Sequence, residues 1–90
     1  MPPTQVYFKD WCPYSQKALK LLKEKNVDFE GIDVTNDLER EFEMRERAGR
    51  TSVPQIFVGD LHLGGYDDIA ALDRAGRLDA IIGSTHDKAA

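Results

Sequence analysis

The chemistry this chain could do gathers around one thiol. Cys12 is the sole cysteine, followed by Pro13, Tyr14 and Ser15 and preceded three positions upstream by Lys9. A lone cysteine is by default a small buried hydrophobe. It forms no internal disulfide, and with only two histidines, His62 and His86, it makes no conventional zinc set. Its neighbours argue for reactivity. Pro13 suits the first turn of a helix, where its missing N–H would have had no intrahelical partner. Cys12 then stands at a helix N-terminus, where unpaired N–H groups and the positive end of the helix dipole favour a thiolate over a thiol. Lys9 adds a positive charge. The thiolate is the species that attacks disulfide sulfur, so thiol–disulfide exchange is the expected chemistry.

The elements that must hold this thiol are legible in the apolar spacing. Thr4 to Phe8 is rich in β-formers and predicts a first strand. A helix is expected from Cys12-Pro13 to about Lys25, with Ala18, Leu21 and Leu22 (Leu19 alongside) inward and Lys17, Lys20, Lys23 and Glu24 in water. Val27 to Val34 alternates as a second strand, weakened at Gly31. Asn36 followed by Glu39 signals a second helix, with Leu38, Phe42 and either Met44 or the aliphatic stem of Arg45 as its inner face and Gly49 as its stop. Val53 to Val58 and Leu61 to Leu63 predict two further strands, joined by a Gly59-Asp60 hairpin turn. After Gly64-Gly65, Ile69, Leu72 and Ala75 suggest a helix ended by Gly76, and Leu78, Ile81 and Ile82 a last short one. The order β-α-β-α-β-β-α-α implies an α/β fold: a four-stranded mixed sheet with helices on both faces, opened by a right-handed parallel crossover. The crevice at a strand's carboxyl end is the usual ligand position in such sheets, and Cys12 falls there. Residues 84–90 lack apolar periodicity and predict a disordered tail, leaving 1–83 as the domain.

Composition narrows the class. Ninety residues with 41% apolar and 31% charged side chains suit one soluble globular domain. No apolar run is long enough to span a bilayer. The first residues lack a secretory signal pattern, which points to a cytoplasmic protein. A net charge of −4 argues against general nucleic-acid or anionic-membrane binding. The charge is unevenly spread: residues 1–27 hold five lysines against two acids, and residues 28–48 hold eight acids against three arginines. This reads either as solvated helix faces or as a cationic rim for an anionic ligand near Lys9 and Cys12.

Three segments carry a family resemblance. Trp11-Cys12-Pro13-Tyr14-Ser15 with Lys9 upstream, Thr51-Ser52-Val53-Pro54-Gln55-Ile56-Phe57, and Gly64-Gly65-Tyr66-Asp67-Asp68 resemble, in order and spacing, the active-site segments of glutaredoxins. The similarity runs from about residue 4 to 83. It implies a thioredoxin-like fold and glutathione as cosubstrate, with no metal. Cys12 is then the catalytic nucleophile. Val53-Pro54 is implied to be a cis step that offers the Val53 backbone to the glutathione cysteinyl unit; Ser52 stands where the family usually has threonine. Gly65 allows close backbone approach, and the helix N-terminus it opens would hold the γ-glutamyl carboxylate. Asp68, with Asp67 beside it, would accept from the γ-glutamyl ammonium, though either also suits a plain helix cap. Lys9 would meet the glycine carboxylate, and Pro13 and Tyr14 would wall the thiol groove. Tyr66 completes the set at a position where relatives vary, and Arg40 is a candidate near the glycine carboxylate. Trp11 would either shape access for partners or pack on the first helix, and His62 reads as a strand surface residue.

Ser15 shapes the expected mechanism. Dithiol members carry cysteine there, and a serine hydroxyl is far too weak an acid to replace a resolving thiolate. The resemblance therefore implies reduction of protein–glutathione mixed disulfides by a one-cysteine route. The expected partners are glutathione and glutathionylated proteins, met by a monomer. Serine at this position suits a natural monothiol member or an engineered replacement, whose dithiol parent would also reduce protein disulfides. The rival reading is a glutathione-ligated iron–sulfur dimer. The Cys-Gly-Phe-Ser members known for that differ from Cys-Pro-Tyr-Ser, and a rigid Pro13 disfavours the loop.

Overall fold

Strand β1 (Thr4–Phe8) buries Val6 and Tyr7 completely although they point to opposite faces, so it must lie inside a sheet covered on both sides. The computed structural model, which describes residues 3–83, puts it there. The sheet order is β2-β1-β3-β4, with β2 (Phe29–Asp33) parallel to β1 and with β3 (Gln55–Val58) and β4 (Leu61–Gly64) antiparallel. Helices α1 (Pro13–Glu24), α2 (Leu38–Ala48), α3 (Tyr66–Arg74) and α4 (Leu78–Ile82) complete the expected order. Gly59, at φ 58°, makes the turn between β3 and β4. The tail expected at 84–90 lies outside the described residues.

The period-2 alternation of the strands splits the core. Val6, Ile56 and Val58 face α1, α3 and α4, packing with Ala18, Leu22, Ile69, Leu78 and Ile82. Tyr7, Ile32 and Phe57 face α2 with Val34 and Met44. Lys25, which closes α1, is ion-paired with Asp73 on α3 and with Asp79 on α4 (3.1 Å), so one ammonium ties three helices together. β2 and β4 are the sheet edges, and on β2 Glu30, Gly31 and Asp33 are exposed.

Helix α2 departs from its expected layout in two ways. Its N-cap is Asp37 rather than Asn36: the Asp37 carboxylate accepts from the Arg40 N–H at 3.1 Å. Leu38 and Phe42 do not form the inner face; they are 81% and 61% exposed, whereas Met44 and Glu41 are buried. Arg45 also lies outside, paired with Glu41 at 3.3 Å. Polar anchors made the difference. From the same side as Met44, the Arg47 guanidinium lies 4.0 Å from the centre of the Phe57 ring and donates to Tyr7 Oη (2.9 Å), Gln5 Oε1 (2.8 Å) and the Gly59 carbonyl (3.0 Å). Glu43 accepts from the Tyr7 hydroxyl. Burial first, and the Glu43 carboxylate second, push that hydroxyl above its ordinary pKa. These bonds turn the charged side of α2 inward and leave its two largest hydrophobes in water.

Candidate active site

The loop from Lys9 to Cys12 bridges the carboxyl end of β1 and the first turn of α1, and its backbone is held at Lys9, Asp10 and Cys12. The buried Ser15 hydroxyl accepts from the Lys9 N–H at 3.3 Å. Thr35, just past β2, accepts from the Asp10 N–H at 2.9 Å, and Gln16 donates to the Asp10 carbonyl at 2.9 Å. The Cys12 N–H donates to the Lys9 carbonyl at 3.2 Å. Cys12 is the N-cap of α1, extended at φ −83° and ψ 119°, and Pro13 opens the helix. Cys12 is 8% exposed, and its thiol makes a weak donation to the Val53 carbonyl at 3.8 Å. Ser15 thus supports the loop from below; its hydroxyl is spent on the backbone.

Across from Cys12, the Val53–Pro54 peptide bond is cis, as the resemblance implied. A groove of about 230 Å³ opens there, lined by Tyr14, Arg50, Ser52, Val53, Pro54, Gly65, Tyr66, Asp67 and Asp68. All of the expected residues from Ser52 to Asp68 meet in it, together with Tyr14. Gly65 is the N-cap of α3, and a Cβ there would lie 3.3 Å from the Pro54 carbonyl, so the two loops touch backbone to backbone. Gly64, at φ 107°, leaves room for the Asp68 carboxylate, which a Cβ would strike.

Asp68 accepts from the Gly65 N–H at 2.9 Å and from Arg50 at 3.0 Å. Those bonds, the backbone one foremost, hold its pKa below the ordinary carboxylate value. Asp68 therefore caps α3 and also presents charge to the groove, combining the two roles weighed from the sequence. Asp67 is exposed.

Lys9 and Pro13 stay with the Cys12 loop outside the groove lining. The Lys9 ammonium is 3.2 Å from Glu41 on α2 and 5.8 Å from the Trp11 ring centre, and Trp11 is 64% exposed. Arg40 pairs with Glu43 at 3.2 Å and does not line the groove.

Two residues of this region escaped the sequence reading. Arg50 lines the groove and pairs with Asp68; its signal was only its position before Thr51-Ser52-Val53-Pro54. Gln55 is fully buried behind the groove, donating to the Ser52 carbonyl (3.0 Å) and Ser52 hydroxyl (3.3 Å) and pairing with His62 Nε2 at 2.6 Å. The signal that could have found Gln55 is a lone amide inside an otherwise apolar strand. His62, half-buried on β4, stacks on Phe57 at 4.8 Å, and burial first and Arg50 second lower its pKa from the ordinary 6.5.

A thiol at a helix N-terminus, at the carboxyl end of a central strand and facing a proline loop, defines a thiol–disulfide oxidoreductase of the thioredoxin-like fold. The comparisons with known proteins narrow this further. The glutaredoxin family model matches residues 5–63. A glutaredoxin of Pseudomonas aeruginosa is 48% identical over 82 residues, covering 91% of this chain and 98% of that protein. The solution structure of a glutaredoxin from Brucella melitensis superposes with TM-score 0.81 at 40% identity, over 93% of this chain and 91% of the other. The crystal structure of a buckwheat glutaredoxin–glutathione complex shares the fold at TM-score 0.83 and 24% identity, over 91% of this chain and 77% of that one. The chain belongs to the glutaredoxin family.

Among the described residues, no helix is long and apolar enough to cross a membrane.

Proposed function

We propose that this protein reduces protein–glutathione mixed disulfides with Cys12 alone. The observation that carries the reading is the placement of the only thiol: at the N-terminus of α1, 3.8 Å from the Val53 carbonyl, at the end of a groove that combines open backbone, a helix N-terminus and an Arg50–Asp68 charge pair. Glutathione offers matching groups: a peptide-like cysteinyl unit for Val53, a γ-glutamyl carboxylate for the α3 N-terminus and a γ-glutamyl ammonium for Asp68. Ser52, Pro54 and Gly65 form the backbone wall, and Tyr14, Tyr66 and Asp67 its outer rim. Lys9, now balanced by Glu41, exchanges that partner for the glycine carboxylate. The buckwheat glutaredoxin that shares this fold was solved as a complex with glutathione, which supports the reading.

The cycle has two exchanges. The Cys12 thiolate attacks the glutathione sulfur of the mixed disulfide; the old S–S bond breaks and the protein leaves as a thiolate that takes up a proton. The thiolate of a second glutathione then attacks the Cys12–glutathione disulfide, yielding oxidised glutathione and the Cys12 thiolate. The mixed disulfide and one glutathione thiol thus give the protein thiol and oxidised glutathione: the incoming glutathione sulfur is oxidised to the disulfide level as the protein sulfur returns to a thiol, and Ser15 takes no part. The chain acts as a cytoplasmic monomer, with residues 1–83 as its working domain.

The test is mass spectrometry after exposure to oxidised glutathione, followed by turnover of a small glutathione mixed disulfide. One glutathione should add at Cys12, and Cys12→Ser should abolish both adduct and turnover. Turnover that survives the substitution would rule the scheme out.

A further inference from the structure

Three cations stand around the thiol groove, and their partners differ. Lys9 is ion-paired with Glu41 at 3.2 Å and Arg50 with Asp68 at 3.0 Å. Lys17 has no carboxylate within ion-pairing distance among the described residues. Its ammonium instead lies 5.1 Å from the Tyr14 ring centre and 5.8 Å from that of Tyr66, over the aromatic pair that forms the groove's outer rim. Beyond Tyr66 the surface dips again. A depression of about 280 Å³ is lined by Lys17, Lys20, Leu21, Glu24 and Tyr66. Lys20, exposed and without an ion-pair partner among the described residues, stands one helical turn from Lys17 on the same side of α1. Tyr66 borders both hollows, so the groove and the depression adjoin across its ring beside α1.

We propose that these adjoining hollows are a docking surface for an acidic stretch of the protein whose cysteine carries the glutathione. The inference rests on the deglutathionylation reading and extends it to the other half of the substrate. The groove accounts for the tripeptide, but a mixed disulfide also brings a polypeptide, which must leave past the rim. Apolar Leu21 and the tyrosine faces give that polypeptide somewhere to lie. Lys17 and Lys20 set the preferred sign of its charge. The net charge of −4 does not oppose this: residues 1–27 are net basic, and at physiological salt charges more than about 8 Å away are largely screened. Complementary charge of this kind acts mainly on encounter and on choice among partners.

The test compares three glutathionylated peptides of equal length, with aspartates, lysines or serines flanking the cysteine, against the small mixed disulfide of glutathione and 2-mercaptoethanol. An exposed charge pair changes binding by at most about fivefold. The wild-type chain should therefore show kcat/KM roughly tenfold higher for the acidic than for the basic peptide, shrinking towards unity in 0.5 M salt. The double substitution Lys17→Glu, Lys20→Glu should reverse the order. Lys17→Met with Lys20→Met, which keeps the bulk over the tyrosines, should abolish it. Rates on the small disulfide should stay within about twofold in every variant. Equal rates for acidic and basic peptides in the wild type would overturn the proposal. So would an equal loss on the small disulfide, which would make the lysines glutathione contacts. A wild-type chain inactive on the small disulfide would overturn the underlying reading and this proposal with it.

Discussion

On one face of the sheet, α1, α3 and α4 close over Val6, Ile56 and Val58 with hydrocarbon; on the other, α2 closes over Tyr7 and Phe57 with a guanidinium. The first face follows the rule that buried apolar area drives docking. The second needs several aimed bonds: Arg47 to Tyr7, Gln5 and Gly59, Tyr7 to Glu43, and Glu41 to Lys9. The thiol takes its position from both. Its helix belongs to the hydrocarbon face, while Lys9, the cation just upstream, is held by the polar face through Glu41. Stability and charge placement near Cys12 are thus supplied by different sides of the sheet.

Breaking the hydrocarbon face should cost most. Leu22→Ala leaves a cavity beneath α1 and should destabilise by about 2–5 kcal/mol in denaturant unfolding. On the polar face, Arg47→Ala should cost roughly 1.5–3 kcal/mol, because Tyr7, Gln5 and the Gly59 carbonyl each lose a charged donor. A smaller loss in Arg47→Met than in Arg47→Ala would assign part of that cost to the stem packed on Phe57. The exposed side of α2 should hardly register: Leu38→Ser and Phe42→Ser should each stay within about 0.5 kcal/mol of wild type. A loss above 2 kcal/mol in either would mean that they are buried after all.

The smallest effect concerns His62, which lies against the polar face. Burial and the Arg50 charge lower its folded pKa below 6.5, so the folded chain binds its proton less readily than the unfolded chain does. The resulting stability is fully present above the unfolded value and fades as pH falls through the folded one. Melting temperatures should therefore drop more steeply between pH 7 and 5 in wild type than in His62→Gln. The His62 ring resonances should titrate with a midpoint below 6.5.

The same contrast explains how much was legible in the residues. Strands show in alternation and α1 shows in Ala18 and Leu22, because on that side burial and hydrophobicity coincide. The groove was legible through the resemblance, whose motifs brought together Ser52 to Pro54 and Gly65 to Asp68, and these residues line it. Helix α2 was misjudged at Leu38 and Phe42 because its inward residues are Glu41, Met44 and Arg47, and hydropathy counts two of these as surface. Arg50 and Gln55 were missed for a related reason. Their importance lies in a partner on another element, Asp68 on α3 for Arg50 and His62 on β4 for Gln55, which hydropathy does not show.

The exposed residues of β2 have one further consequence. An uncovered strand is an invitation to a second copy, since its free N–H and C=O groups match those of any other edge. Here two β2 strands meeting in parallel register would set Glu30 and Asp33 against their own duplicates, or in antiparallel register could set them against each other, and like charges across a strand pair are destabilising. Two of the acids in residues 28–48 thus put like charge on the edge that a second copy would have to meet.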